Sequence, residues 1–334
     1  KNFEKARIYL SQATELNSTD TSANYHLGNT EFRLKAFREA IGAYRKAATN
    51  GMRSAILYNN LGKSYYNLED IEASIPEYTR AIEIDPAYAR ARMNRGSAYY
   101  ELGRYDESIE DFLALDATEY PEVNPLLAQS YFELGEFQTA LKYFNRSIDQ
   151  GEKSGEIYHM RGRTLMALAQ YEAALSDLNN AMNAGKKDAD VYLDRARVNI
   201  YVGNDPAAMK DLNEAISLDG SDPLAYYNRG YLRELQEKWN DAIKDYHKVV
   251  ELDPGDHRAY YSMANSMVSL GQVSAALEPI DKAIELKSDE ASYFKVKGNI
   301  TYRLERNQEA CGLWEKAVSL GDKKSNFYLD QYCK

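Results

Sequence analysis

Cysteine and histidine are the residues of this sequence best suited to chemistry, and they are few. The chain has two cysteines, Cys311 and Cys333, and four scattered histidines, His26, His159, His247 and His257. No nucleophile stands at a defined spacing from a histidine, no metal-ligand spacing is present, and no glycine-rich loop is suited to a phosphate. The sequence therefore predicts no catalytic residue, no metal site, no cofactor and no enzyme activity.

The two cysteines lie at mirror positions about a predicted turn. They are 22 residues apart, and their midpoint falls in the segment 321–324 between two predicted helices. Residues equidistant from the turn of a helical hairpin lie at the same height, within the Cα separation of about 5.5–6 Å that a disulfide needs. A disulfide between Cys311 and Cys333 would favour an oxidising compartment. The alternative is a small buried apolar Cys311, because equivalent positions elsewhere hold Ile or Leu.

The composition excludes several classes of function. The 334 residues are 44% hydrophobic and 28% charged, with a net charge of −10, which is ordinary for a folded chain. An acidic chain is poorly suited to nucleic acid or to an anionic membrane. No apolar run approaches the ~18 residues that span a bilayer. We therefore expect no nucleic-acid partner and no direct membrane insertion.

A period of about 34 residues runs through the chain. Glycine or alanine recurs nine times at this period, at Gly28, Gly62, Gly96, Ala128, Gly162, Ala196, Gly230, Ala264 and Gly298. Twelve residues after each stands Ala or Ser, and sixteen after each stands a bulky apolar residue such as Tyr44 or Trp314. No second pattern competes with this one, so the repeat predicts the fold.

The repeated positions predict pairs of short antiparallel helices. Small residues at fixed spacing let two helices approach to about 8–10 Å between their axes, and the bulky residue fills the space between them. Spacings of three and four place these positions on one helical face. The turn between the helices is expected about seven residues past the small residue, at Gly103, Gly135, Gly203 and Gly271.

Two stretches resemble tetratricopeptide repeats (TPR). They are residues 56–86, ILYNNLGKSYYNLEDIEASIPEYTRAIEIDP, and residues 225–254, AYYNRGYLRELQEKWNDAIKDYHKVVELDP. The resemblance extends over essentially the whole chain. It implies an all-α fold, an α-α superhelix or solenoid of about nine helix-turn-helix units, in which the first helix of every unit lines a concave groove.

The unit boundaries follow from the period. Units are expected at residues 21–54, 55–88, 89–120, 121–154, 155–188, 189–222, 223–256, 257–290 and 291–324. Residues 1–20 resemble a second helix without its first, so we expect the native protein to extend upstream. Residues 325–334 are expected to form a C-terminal capping helix. Two residues are missing from the period between Phe112 and Ala128, which predicts a shortened second helix there.

Charges in the implied groove form bands. Eight cations and seven carboxylates, Glu234 among them, would line it, although the chain as a whole is strongly acidic. His26 and His159 are expected to face the groove, and His247 and His257 to be exposed. The bands are basic at Lys63 and Arg90, acidic from Glu101 to Glu156, basic at Arg163 and Arg197, and basic again from Arg258 to Arg303. Such banding favours an extended ligand with matching charges. The alternative is that these charges belong to solvated helix faces.

Asparagine and tyrosine side chains share the same face. An asparagine side chain can pair with both the N–H and the C=O of a bound peptide, and tyrosine suits interfaces. The candidate partner-binding residues are Tyr25, Asn29, Asn60, Lys63, Arg90, Asn94, Arg163, Arg197, Tyr227, Asn228, Tyr231, Arg258, Tyr261, Asn265, Lys295 and Asn299. The alternative is that asparagine and tyrosine at these positions serve packing, since they are common throughout the family.

Some members of the family hold the C-terminal carboxylate of a chaperone peptide with a set of lysine, asparagine and arginine side chains. The matching positions here are Tyr25, Asn29, Asn60, Arg90 and Asn94. Three of the five fit and two cationic positions are lost, so we do not expect that specific activity.

Together these features predict a non-catalytic scaffold or adaptor that binds a protein or peptide segment in its concave groove. One alternative is a rigid spacer or a module that self-associates through its N-terminal face. Another is the targeting arm of a larger enzyme. The tail EACGLWEKAVSLGDKKSNFYLDQYCK resembles the ends of some bacterial repeat proteins, which favours a periplasmic or cell-envelope location over the cytoplasm.

Overall fold

The computed structural model describes residues 2–333, which fold into α-helices. Twenty α-helices and one short 3-10 helix form in this range, and no strand occurs within it. The predicted all-α class is confirmed. The chain divides into two compact units, Lys1–Ala169 and Gln170–Lys334.

Helices succeed one another through short turns in both units. The N-terminal unit contains α1 (Asn2–Leu16), α2 (Thr21–Arg33), α3 (Phe37–Thr49), α4 (Ala55–Asn67), α5 (Ile71–Ile84), α6 (Ala89–Glu101), α7 (Tyr105–Leu113), α8 (Val123–Glu133), α9 (Phe137–Asp149) and α10 (Gly155–Ala167). The C-terminal unit contains α11 (Tyr171–Asn183), α12 (Ala189–Tyr201), α13 (Asp205–Leu218), α14 (Pro223–Leu235), α15 (Trp239–Leu252), α16 (His257–Ser269), α17 (Leu277–Leu286), α18 (Ala291–Arg303), α19 (Asn307–Ser319), a 3-10 helix (Lys323–Ser325) and α20 (Asn326–Tyr332). The even-numbered helices from α2 to α18 are the first helices predicted from the period, and the odd-numbered ones are the second helices.

A glycine on the first helix faces an aromatic ring on the second in most hairpins. A Cβ atom added to Gly28 would lie 2.6 Å from Cδ1 of Tyr44, and one added to Gly298 would lie 2.5 Å from Nε1 of Trp314. Both rings are almost fully buried. No side chain larger than hydrogen fits between such a backbone and such a ring, which explains the spacing of sixteen residues.

Each hairpin turns through one residue in the left-handed region. Gly103, Gly135, Gly203 and Gly271 have φ angles between +71° and +78°, at the positions predicted from the sequence. Five other hairpins use a residue with a side chain at the same place, for example Lys35 and Glu237. The turn conformation is therefore common to all nine hairpins, and glycine supplies it at the lowest steric cost.

Arginines link consecutive hairpins through buried aspartates. In α14, Arg229 donates from Nη2 to Oδ1 of Asp245 at 2.8 Å and from Nη1 to Oδ1 of Asn213 at 2.9 Å. Asp245 lies on the second helix of the same hairpin, whereas Asn213 lies on the second helix of the hairpin before. Arg95 makes the equivalent bonds in the N-terminal unit. Each such arginine therefore joins three helices.

The irregular region has the predicted short helix. Helix α7 ends at Leu113 after nine residues, where most second helices have thirteen or fourteen. The connection that follows runs to Glu122 and contains Pro121, and α8 carries a second proline, Pro125, in its first turn. The missing residues are therefore taken from the end of the second helix.

The C-terminal segment packs back onto the last hairpin. Tyr328 of α20 stacks on the Trp314 ring with centroids 5.0 Å apart, and Tyr332 lies 4.6 Å from the ring of Tyr302. Cys311 and Cys333 are bonded, with their Cα atoms 5.8 Å apart. Helix α20 thus covers the aromatic face formed by Tyr302 and Trp314, and the disulfide holds it there.

Candidate partner-binding surface

First helices of neighbouring hairpins contact one another in both units. In the N-terminal unit α2, α4, α6, α8 and α10 touch in succession, and in the C-terminal unit α12, α14, α16 and α18 do the same. Hairpins whose first helices converge curve toward that side. The first helices therefore form the inner face of each unit.

The inner face of the N-terminal unit contains a pocket of about 710 Å³, here named the cationic pocket. Arg33 of α2, Lys63 of α4 and Arg90 of α6 line it, together with His26 and the amides Asn29 and Asn60. The aromatic ring of Phe32 also lines it, 5.5 Å from Nζ of Lys63. No carboxylate is among the described residues that line this pocket, so its electrostatic potential favours an anion.

Asparagines on the same face bond to each other and to the core. Oδ1 of Asn29 accepts from the hydroxyl of Tyr44 at 2.8 Å and from Nδ2 of Asn60 at 3.1 Å. Nδ2 of Asn94 donates to Oδ1 of Asn59 at 2.8 Å. These bonds join α2 to α4 and α4 to α6. The two lone pairs of Asn29 Oδ1 are thereby occupied, and its Nδ2 hydrogens remain for a ligand.

The other predicted residues of the N-terminal unit lie on the same helices. Tyr25 is half-buried, and its ring centroid is 6.0 Å from that of Tyr44. Arg163 is exposed on α10, with its guanidinium 5.2 Å from the ring centroid of Phe132. Neither residue lines the cationic pocket.

A second pocket, of about 730 Å³, lies where α8 and α10 begin and α9 ends. It is here named the acidic pocket because Glu122, Glu152 and Glu156 line it. Two of these carboxylates belong to the acidic band predicted from the sequence. Pro121 of the connection after α7 and Pro125 of the first turn of α8 also line it.

Several predicted cations of the C-terminal unit are paired with nearby carboxylates. Arg197 lies 3.2 Å from Asp194, Arg258 lies 3.0 Å from Asp256, and Lys295 lies 3.6 Å from Asp322. Arg258 also lies over the ring of Tyr227 at 5.2 Å. The basic bands expected there are consequently weaker than the formal charges suggested.

The polar and aromatic candidates of this unit differ in burial and in hydrogen bonding. Nδ2 of Asn228 donates to the carbonyl of Leu224 at 2.7 Å, and Oδ1 of Asn299 accepts from Nε1 of Trp314 at 3.0 Å. Asn265 is half-buried on α16. The rings of Tyr261 and Tyr293 lie 4.9 Å apart, while Tyr231 is 42% exposed beside the exposed Leu224 and Leu235. Helix α14 therefore presents an apolar ridge on the inner face.

Three expectations about individual residues were wrong. Glu234 was expected to be a free groove carboxylate, but it accepts from the hydroxyls of Tyr246 at 2.7 Å and Ser266 at 2.6 Å. His159, expected in the groove, is 4% exposed. His257, expected to be exposed, is half-buried with Nδ1 2.5 Å from the Tyr293 hydroxyl. For Glu234 and His257 a hydroxyl from another helix binds the side chain.

Burial also raises the pKa of several tyrosines on these helices. Desolvation, followed by the charge of Glu290, raises the pKa of Tyr293 to about 12. The pKa of Tyr246 is raised further by burial and by Glu234. These phenols stay neutral at physiological pH and serve as hydrogen-bond donors.

Chemical groups of other kinds are sparse. Within residues 2–333 no three His, Cys, Asp or Glu side chains are arranged to hold a metal ion. In the same range, no helix combines the length and apolar character needed to cross a bilayer. The two pockets and the inner faces remain as candidate binding surfaces.

Comparisons with known proteins agree with the fold. Models of the tetratricopeptide repeat match residues 1–55, 59–123 and 126–190, and a second such model matches residues 223–256. No curated protein matches the chain as a whole or in part.

Solved structures of repeat proteins superpose on the chain. The Cut9–Hcn1 hetero-tetramer of the APC/C has a TM-score of 0.56 at 14% identity, covering 94% of this chain and 76% of that one. The C-terminal part of a TPR protein from Cytophaga hutchinsonii gives 0.55 at 21%, covering 70% and 97%. A TPR protein from Parabacteroides merdae gives 0.53 at 17%, covering 74% and 99%. Since the family models match well over half of the sequence, the chain belongs to the tetratricopeptide repeat family of protein-interaction scaffolds.

Proposed function

We propose that the chain is a non-catalytic scaffold that binds a segment of a partner protein along the inner face of its N-terminal unit. An acidic group of that segment would occupy the cationic pocket. The observation that carries the proposal is the convergence of Arg33, Lys63 and Arg90 on one pocket. No carboxylate of residues 2–333 lies within ion-pair distance of these three cations.

Because Arg33, Lys63 and Arg90 have no carboxylate partner among residues 2–333, we expect a ligand to neutralise them. The chain carries ten more negative than positive charges, and the arginines that link its hairpins, Arg95, Arg195 and Arg229, are each paired with an aspartate. Three like charges in one concave site repel one another, so the pocket gains most from an incoming carboxylate or phosphate. The amide hydrogens of Asn29 and the ring of Phe32 would hold the neighbouring backbone and an apolar side chain.

The proposal is tested with a fluorescein-labelled peptide rich in aspartate and glutamate. We expect fluorescence anisotropy to give a dissociation constant at least about tenfold weaker for Lys63→Glu with Arg90→Glu than for the wild type. The loss should shrink at high salt, because screening reduces charge interactions at exposed sites.

The matched control is a charge reversal on the outer face of the same unit. Lys142→Glu with Lys46→Glu changes the net charge equally, and both side chains are exposed on second helices. Equal loss of affinity in the pocket pair and the control pair would show a general charge effect and would contradict the proposal.

Self-association is a second candidate function, favoured by α1. This helix has no buried residue, and Ile8, Tyr9 and Leu16 are 56%, 70% and 91% exposed. Apolar patches of this kind are common at interfaces. Sedimentation velocity over a range of concentrations tests it: a concentration-dependent increase in mass that Tyr9→Lys abolishes supports association, and a constant monomer excludes it.

A further inference from the structure

The acidic pocket lies at a junction between two hairpins and has a polar lining. Glu122 directly precedes α8, Glu152 lies in the turn after α9, and Glu156 lies in the first turn of α10. No lysine, arginine or histidine is among the described residues that line the pocket. The carboxylates come from three separate segments, so the pocket is a product of the tertiary fold.

A buried hydroxyl without a partner lies in the same lining. Ser147 is 2% exposed, and its Oγ has no hydrogen-bond partner. At the equivalent position most other hairpins have a small apolar residue, for example Ala47, Ala81 and Ala181. The fold therefore does not require a hydroxyl here. A buried hydroxyl without a hydrogen bond is unfavourable unless a ligand supplies the missing partner.

A buried amide oxygen beside the pocket also lacks a hydrogen-bond partner. Asn124 is fully buried, and its Nδ2 donates to Oε1 of Gln150, a lining residue, at 2.7 Å. Its Oδ1 has no partner. The lining of the pocket thus combines three carboxylates with the unbonded hydroxyl of Ser147, which together suit a cation that carries several N–H donors.

Arginine fits this set of acceptors better than lysine or a metal ion. Its guanidinium presents five N–H donors in a plane and can bond to a carboxylate and to neutral oxygens at once. The carboxylates of the pocket are not arranged as a metal-binding cluster. A compact ammonium group could neutralise the charge but would reach fewer of the acceptors.

We propose that the acidic pocket binds an arginine side chain of the partner segment. The inference rests on the proposed function, and it specifies the direction in which the partner segment lies along the unit. The cations of the cationic pocket lie on α2, α4 and α6, and α1 and α3 also contribute to its lining, whereas the acidic pocket lies among α8, α9 and α10 of the same unit. A segment that uses both pockets lies with its acidic group toward α2 and its arginine toward α10.

Peptides with separate charge blocks test the proposal on the full chain. One fluorescein-labelled peptide carries an aspartate block and an arginine block joined by a Gly-Ser linker, and a second carries lysine in place of arginine. We expect Glu122→Gln with Glu152→Gln to weaken binding of the arginine peptide at least about fivefold. The control Glu83→Gln with Glu110→Gln, two exposed carboxylates on α5 and α7, should change it less than about twofold.

Ser147→Ala provides a variant that keeps the fold. Since alanine occupies the equivalent position in other hairpins and the Ser147 hydroxyl has no partner, we expect a thermal stability equal to or above that of the wild type. It should reduce the preference for the arginine peptide over the lysine peptide by about threefold, because one acceptor of the guanidinium is lost. An unchanged preference, or equal weakening by the pocket pair and the control pair, overturns the arginine subsite.

The two proposals fail in different ways. If Lys63→Glu with Arg90→Glu weakens binding but Glu122→Gln with Glu152→Gln does not, the scaffold function stands and the arginine subsite is excluded. If neither pair changes binding, both proposals are excluded.

Discussion

Arg195 donates from Nη2 and Nε to both carboxylate oxygens of Asp211, at 2.6 and 2.8 Å. The aspartate side chain is 3% exposed, and the same guanidinium reaches Oδ1 of Asn179 in the preceding hairpin at 2.8 Å. A bidentate pair of this kind is geometrically specific. The loss of stability caused by removing one partner depends on whether the other is left buried with an unpaired charge.

Removal of the carboxylate should be strongly destabilising. We expect Asp211→Ala to lower the free energy of unfolding by about 3–5 kcal/mol, because it leaves a largely buried arginine without its counter-charge. Urea denaturation followed by circular dichroism measures the change. The exposed pair Lys244–Asp241 is the control, since Lys244→Ala should cost less than about 1 kcal/mol. Similar losses in both variants would contradict this account.

Two glycine-to-alanine changes in the last hairpin should have opposite signs. Gly298→Ala places a Cβ 2.5 Å from Nε1 of Trp314 and should destabilise by about 1–3 kcal/mol. Gly312→Ala adds a Cβ in open space at an exposed position of α19 and should stabilise by about 1 kcal/mol. Thermal melts of both variants against the wild type decide the point, and a loss of stability in Gly312→Ala would refute it.

The stability of the N-terminal unit should depend on the charge of Glu31. Burial raises the pKa of this carboxyl, Arg7 partly opposes the shift, and Oε2 has no hydrogen-bond partner. A carboxyl with a raised folded-state pKa is destabilising when ionised, and that penalty disappears below its unfolded-state pKa. We expect Glu31→Gln to stabilise by about 1 kcal/mol at neutral pH.

The pH dependence distinguishes this effect from a change in packing. The advantage of Glu31→Gln should vanish near pH ~3, below the ordinary glutamate pKa of about 4.3. Urea midpoints at both pH values give the comparison, with the exposed Glu83→Gln as control. An advantage that persists unchanged in acid would assign the effect to packing instead.

Reduction of the disulfide should loosen the C-terminal segment. The bond between Cys311 and Cys333 spans 22 residues, and a loop of that size contributes about 3 kcal/mol. On reduction, or in Cys333→Ser, we expect a red shift of Trp314 fluorescence as Tyr328 leaves its ring. Titration of the native, unreduced protein should find no free thiol; two thiols per chain would show that the bond does not form.

The repeat positions were predictable because a single steric rule sets them. Gly28 and Tyr44 must be sixteen residues apart for the ring to lie against the backbone, and every hairpin obeys the same spacing. The turn at Gly203 follows from the same register. Such rules act within one hairpin, so they can be read from the sequence without knowledge of how the hairpins pack on one another.

The surface was less predictable because it depends on pairing between side chains. Arg197 and Arg258 were predicted as groove cations, and each has a carboxylate partner within three residues on its own helix or at its start. The position of Glu234 is set by Tyr246 of the next helix. The acidic pocket depends on the short helix α7 and on the connection that follows it, which places Pro121 and Glu122 in the lining. Only the links from arginine to aspartate had an unused signal, a constant separation of sixteen residues.

These links have a consequence for how the C-terminal unit opens. The side chains of Arg195 and Arg229 tie α11 through α15 together, whereas the corresponding position in α16 is the apolar Met263. Unravelling of a terminal hairpin breaks apolar contacts and single polar contacts, such as Lys297–Asp281 at 2.7 Å. Unravelling that reaches Arg229 would also separate this arginine from the buried Asp245 and leave a charge without its partner. Amide hydrogen exchange should therefore slow abruptly at α15 and not gradually along the unit.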